Sequence, residues 1–161
     1  MMQLKHLFDD KELARDILSR WEHDPPGERF LGWFRISANA VYRFAAGGRP
    51  HFLRFAPEEE TSADKILAEL ELIGYLRSRG YPANRPVPST KAREMEVIDR
   101  PSGRYFAVVF EGVAGEPLDP VHMNDADFLG WGRALGGLHR LSRDFKPAAA
   151  QSSPSIRTWK S

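Results

Sequence analysis

The 161-residue chain (18.3 kDa) is 42% hydrophobic and 28% charged, the make-up of a folded domain able to bury about 70% of its unfolded surface, and disorder throughout is excluded. Its 23 basic and 22 acidic side chains leave a net charge of +1, so no global field points toward nucleic acid or an anionic membrane. The lack of cysteine removes disulfides, thiolate metal sites and cysteine nucleophiles and makes the cytoplasm the simplest compartment, while a charged N-terminus and the absence of any apolar run of roughly 20 residues argue against a signal peptide and a spanning helix.

Asp9 or Asp10 reads as the N-cap of a short amphipathic helix carrying Leu13, Ile17, Leu18 and Trp21 at helical spacing. Asp24, Pro25, Pro26 and Gly27 break it, and a stretch rich in aromatic and β-branched residues follows. Three strands are predicted over 30–37, 40–45 and 51–55, the last two joined by a turn at Gly47 and Gly48, where positive φ is inexpensive. The acidic run Glu58, Glu59, Glu60 reads as a solvated loop.

Thr61 and Asp64 have the spacing of a capping box for a helix over 62–78, closed by Gly80 and Pro82. Pro82, Pro86 and Pro88 hold the chain extended, and two further strands are predicted over 94–99 and 104–110 around a turn at Pro101, Ser102 and Gly103. Residues 112–120 form a Gly/Pro linker, and Asn124 caps a last helix to 142 with Phe128, Trp131, Leu135 and Leu138 on one face. The tail from Lys146 onward, rich in Ala, Ser and Pro, is expected to be disordered. These elements describe an α+β fold: a five-stranded antiparallel sheet with a packed helix, preceded by a short helix and followed by a linker and one more helix.

At about 100° per residue, Ile66, Leu70, Leu72, Ile73 and Leu76 fall along one stripe of the 62–78 helix, and Glu69 lies inside that stripe while Glu71 points the opposite way. A carboxylate on a buried face is costly unless paired, so Glu69 calls for a cation from another element. Arg54, set between Leu53 and Phe55 in an apolar strand, is the natural candidate. A snorkelling surface arginine and a stripe-edge glutamate fit the pattern equally well. His139 reads as a packed helix histidine, and the five histidines show no metal-ligand spacing. Gly130, Gly132 and Gly136 lie in a helix pattern with no preceding strand, and neither a GxSxG elbow nor a GxxxxGK[ST] loop occurs.

Taken in order, SANAVYRF, HFLRF, ILAELELIGYL, YPANRPVP, YFAVVFEGVAGEPL and WGRALGGLHRLS resemble the N-terminal part of the aminoglycoside phosphotransferase and choline kinase-like family, of protein kinase-like fold. The resemblance covers roughly residues 30–147. It implies an N-terminal helix and linker at 1–28, a kinase-like nucleotide-binding lobe at 29–115, a linker and the first helix of a second lobe at 116–145, and a tail at 146–161. Carried over by position, it implies that Ser37 and Asn39 lie in the loop over the nucleotide phosphates, that Arg54 takes the place of the strand lysine, and that Glu69 orients it. It further implies that Phe110 to Val113 form the hinge between lobes, with backbone groups near Glu111 and Val113 on the adenine edge. Arginine supplies a permanent positive charge to phosphate oxygens. The loop around Ser37 has no glycine, so the hydroxyl and backbone amides would have to serve. Without the family, SANA is a tight hairpin turn and the hinge an ordinary strand end.

In this family an HGDxxxxN-type loop of the second lobe supplies an aspartate base and an asparagine metal ligand, and a later aspartate holds Mg²⁺. No such sequence occurs in these residues. The resemblance thus implies ATP as the nucleotide, Mg²⁺ and an acceptor substrate only where a C-terminal lobe is present, no metal ligand in this chain, and an ATP-dependent small-molecule phosphotransferase whose 161-residue part is inactive alone. The alternative is a non-catalytic binding module or truncated gene product, in which the apolar face of the 124–142 helix packs on its own sheet, a partner or a second copy.

Overall fold

Apolar residues at every second position of 40–44, 53–55 and 105–109 dictate a sheet with one face in the core. The computed structural model, which describes residues 11–25, 31–36 (backbone only for 33–36), 39–113 and 121–148, contains that sheet. Its elements are α1 (Lys11–Leu18), β1 (Gly32–Ile36), β2 (Ala40–Ala46), β3 (Arg49–Pro57), α2 (Ala63–Ser78), β4 (Pro86–Val87), β5 (Glu96–Arg100), β6 (Gly103–Glu111) and α3 (Asp125–Arg143). All five predicted strands are present, and the two-residue β4 joins them. The strands run antiparallel in the order β1-β2-β3-β6, and the outer edge of β6 is shared between β4 at Val109–Phe110 and β5 at Gly103–Ala107.

The chain divides into two compact units, one drawn from Met1–Ile66 and Asn84–Val113 and the other from Leu67–Ala83 and Ala114–Ser161. In the first, Tyr42 and Phe44 of β2, Leu53 and Phe55 of β3, Ile98 of β5 and Tyr105, Ala107 and Val109 of β6 form one buried face, closed by Ala14, Ile17, Leu18 and Trp21. The Tyr42 and Phe55 rings stack at 5.8 Å, and Tyr105 meets Phe55 edge-on at 6.3 Å.

The N-terminal segment is built into this unit. Helix α1 stops at Leu18, short of the predicted Trp21, and the Trp21 indole donates to the Val87 carbonyl at 2.9 Å. The Thr90 amide donates to the Arg20 carbonyl at 2.9 Å, and Asp16 pairs with Arg100. Gly47 (φ 57) and Gly48 (φ 71) make the two-residue turn between β2 and β3, and both of their amides donate to the Asp24 carboxylate at 2.8 and 2.9 Å. On the far hairpin the Arg104 Nε donates to Asp99 at 2.7 Å, and that bond, with the charges of Asp99 and Glu58, raises the Arg104 pKa above its ordinary value.

Two local predictions need correction. The α2 cap is Ser62, whose Oγ accepts from the Lys65 amide at 3.4 Å, so Thr61 and Asp64 do not form a capping box and Lys65 holds the position where a box needs Glu or Gln. Glu96 stands in β5 as the predicted strand has it and is in addition buried: the Ser89 hydroxyl donates to it at 2.6 Å and Arg93 stands at 3.7 Å. His139 is exposed rather than packed.

In the second unit, Asn124 and Asp127 form a reciprocal capping box at the start of α3. Tyr81 Oη donates to the Ala134 carbonyl at 3.3 Å, the Tyr75 and Phe145 rings meet at 5.3 Å, and the Ala148 amide donates to Glu71 at 3.0 Å. The expected tail is thus described as far as 148, and the remainder lies outside the described residues. Among the described residues no helix is long and apolar enough to cross a membrane.

Removing the Trp21 side chain opens a core cavity and strands the Val87 carbonyl, so Trp21→Ala should lower stability by about 3–5 kcal/mol. Asp24→Ala should cost about 1–2 kcal/mol by leaving two turn amides without their charged acceptor. Urea unfolding midpoints of the two variants check both values.

Candidate functional site

Alternation that buries Leu53 and Phe55 turns Arg54 to the other face of the sheet. There the register sets it between Val41 of β2 and Val108 of β6. Its guanidinium carbon lies over the Phe110 ring, 5.3 Å from the centroid, within the range of a cation–π contact. Phe110 is buried and is held by two strands, opposite Phe52 of β3 and Pro86 of β4.

One residue on, β6 ends at Glu111, and both sides of this strand end are tied down. The Glu111 amide donates to the Arg85 carbonyl at 2.9 Å, and the two side chains pair at 3.6 Å, half exposed. The Gly112 amide donates to the Pro50 carbonyl at 2.8 Å, and a Cβ on Gly112 would stand 2.6 Å from that oxygen. Only glycine permits this approach. Val113 follows and is exposed.

Of the predicted site residues, the first unit therefore places Arg54 mid-strand and Glu111 and Val113 at the strand end, linked through Phe110. Asn39, half-buried, immediately precedes β2, and Ala40 stands opposite Phe55, so Asn39 marks the other end of the same strands. Ser37 lies outside the described residues. Glu69 is half-buried on the part of α2 that belongs to the second unit, whereas Arg54 belongs to the first. Sequence reasoning placed Phe110 in the hinge and not as a seat for Arg54, because its place on the same face as Arg54 follows only from the β3–β6 register. It had no signal for Arg85 or for the Pro50–Gly112 contact, which depend on tertiary pairing.

Among the described residues no group of three His, Asp or Glu side chains is arranged to hold a metal ion. What the face offers is a delocalised cation on an apolar floor, bordered by a strand end whose backbone is fixed.

A profile of the phosphotransferase enzyme family (APH) matches residues 36–161. The chain belongs to this phosphotransferase family. Amicoumacin kinase of Bacillus subtilis (strain 168) is 24% identical over 144 residues, covering 89% of this chain and 42% of that protein. Two solved structures share the fold. Amicoumacin kinase hAmiN in complex with AMP-PNP, Ca²⁺ and Ami superposes with a TM-score of 0.77 at 22% identity, over 91% of this chain and 43% of that one. A microcompartment-associated aminopropanol kinase gives 0.70 at 24%, over 92% and 45%. The chain thus spans about two-fifths of the relatives it matches, and α1 with Asp24 precedes the span that the phosphotransferase profile covers.

The Gly112 contact yields a paired test. Gly112→Ala should destabilise the protein by about 1–3 kcal/mol through overpacking against Pro50. Gly74→Ala, in the middle of α2 with nothing within 4 Å of the new Cβ, should stabilise by about 0.5–1 kcal/mol. Thermal melts of the two variants should move in opposite directions.

Proposed function

We propose that the Arg54 face of the sheet binds the nucleotide of an ATP-dependent small-molecule phosphotransferase. The supporting observation is the order of groups along β3. Asn39, before β2, lies at one end, Arg54 in the middle, and Glu111, opposite His51, at the other. At roughly 3.3 Å per residue this gives a row suited to an extended nucleoside triphosphate, with its base at Glu111 and Val113 and its phosphates toward Arg54, Asn39 and Ser37. The amides of Glu111 and Gly112 are bonded within the fold, so the base would use the Glu111 carbonyl and the Val113 amide. Glu69 is assigned the orienting role toward Arg54 that the family resemblance gives it.

On this reading residues 29–115 are the nucleotide-binding lobe, 1–28 its N-terminal helix and linker, 116–145 the linker and first helix of a second lobe, and 146–161 a tail. The cytoplasm, where ATP is present, is the matching compartment. A divalent metal, such as the Mg²⁺ expected of a two-lobed enzyme, lacks a ligand set in the described part, so no step is assigned to one here. In-line transfer needs a base and charge neutralisation at the phosphates, and the 161-residue polypeptide alone should therefore bind ATP without transferring its phosphate. The acceptor, if a C-terminal lobe accompanies this one, is a hydroxyl-bearing small molecule, and neither nucleic acid nor a membrane is a partner.

Titration with ATP followed by calorimetry tests the reading. Arg54→Ala should weaken binding by roughly tenfold or more, the scale of a lost charge-assisted contact, and an unchanged affinity would count against this face as the phosphate site. A coupled ADP-release assay should stay at the no-protein blank.

A second reading, an interaction module that self-associates, is favoured by one observation. Helix α3 has no buried residue along its described length, and Phe128, Leu129, Trp131 and Leu135 are exposed. Sedimentation across a range of concentrations should then show a dimer that Trp131→Asp converts to monomer, and a wild-type monomer throughout would sink this reading.

A further inference from the structure

We propose that Phe110 is a positioning residue for Arg54, and that its ring makes the site select arginine over lysine for engaging a triphosphate. The proposal rests on the nucleotide reading above and adds to it a reason for the identity of residue 54.

Arg54 pairs with Val108, and Phe110 is the diagonal neighbour on the same face, a separation that long and aromatic side chains span. The guanidinium carbon stands 5.3 Å from the ring centroid. The two strand partners of Arg54, Val41 and Val108, are aliphatic, so the floor on which the guanidinium rests is apolar as well as aromatic. Phe110 is itself immobilised, buried and paired on both edges of β6. A fixed ring thus underlies a long side chain that is rich in rotamers.

Guanidinium and ammonium differ in what such a seat does for them. A planar guanidinium resting over a ring keeps its N–H donors at its own edge, in the fork that meets phosphate oxygens through two parallel bonds. An ammonium is a compact, strongly hydrated point charge on a flexible stem, and it gains less from the ring while offering no fork. The ring therefore pre-orders the arginine before ligand arrives, and that advantage is specific to the phosphate end of the ligand. Lysine at position 54 would keep the charge and lose the placement.

The test is a double-mutant cycle read with two ligands, ATP and adenosine, on the full chain: wild type, Arg54→Lys, Phe110→Met, and the double variant. Methionine keeps most of the ring's volume, and Phe110→Leu and Phe110→Tyr serve as a second ringless and a ring-retaining variant. Arg54→Lys should weaken ATP binding by about five- to tenfold, the scale of a partly desolvated cation–π contact, with adenosine binding unchanged. In the Phe110→Met or Phe110→Leu background the arginine-to-lysine difference should shrink to within about twofold, and Phe110→Tyr should retain it. An arginine-to-lysine ratio that is the same with and without the ring overturns the proposal while leaving the nucleotide reading intact. If Arg54→Ala does not change ATP affinity, the nucleotide reading itself fails and the proposal with it. Loss of adenosine affinity in parallel with ATP in the Phe110 variants would show that the ring acts through the fold or the adenine end and not through Arg54, and would likewise overturn it.

Discussion

β3 and β6 are held together from His51 opposite Glu111 to Pro57 opposite Tyr105, and this register admits no slip. A shift of one residue would carry Leu53 and Phe55 out of the core and drive Arg54 into it, burying a charge among Tyr42, Ile98 and Val109 at a cost no packing gain could offset. The apolar residues on either side of Arg54 are therefore what place it on the opposite face. The same register puts Phe110 within reach of the guanidinium and ends the strand at Glu111, so one pairing decision fixes the cation, its aromatic floor and the strand end together.

The N-terminal segment acts on the same strands from behind. Asp24 closes the β2–β3 turn by accepting from Gly47 and Gly48, Pro50 follows that turn, and Pro50 receives the Gly112 amide. Trp21 and Arg20 meanwhile hold the chain at Val87 and Thr90, beside Arg85 and its bonds to Glu111. Each contact is modest, of the order of 1 kcal/mol, but they converge on the two residues that flank the strand end. The segment from Lys11 to Asp24 lies outside the matched span of the phosphotransferase profile, yet it braces the strands and turns on either side of the β6 end. Gly112 is where that brace meets the site: its missing Cβ lets two backbones approach closely enough to bond.

Much of this fold was legible in the residues because it is written in short-range patterns. Alternation at Tyr42 and Phe44, the Gly47–Gly48 turn and the Asn124 cap are local signals, and each appears where the pattern puts it. The misses share a physical cause. β4 is two residues long and exists only because β6 has a free edge at Val109 and Phe110, which no local pattern reveals. Glu96 reads as an ordinary strand glutamate until Ser89, from a separate turn, closes on it. At the site, Arg54 stood out because a cation inside an apolar strand needs a reason, whereas Arg85, Pro50 and Phe110 are ordinary in sequence and gain their roles through pairing partners far along the chain.

Charge bears directly on what the described sheet face can do. A nucleoside triphosphate carries several negative charges, and on the nucleotide reading the described sheet face meets them with the guanidinium of Arg54, with exposed Arg43 on the same face opposite Phe52, and with neutral backbone groups. On the same reading the aromatic seat would improve the placement of the Arg54 charge and cannot multiply it. Transfer between oxygens needs the leaving and attacking atoms neutralised at once, usually through metal ions and their carboxylate ligands, and the described residues bring no such ligand set together. On that reading recognition and transfer are separable: the sheet would sort the ligand by its base and its first phosphate contact, while the metal ligands that transfer needs are not brought together by the described residues.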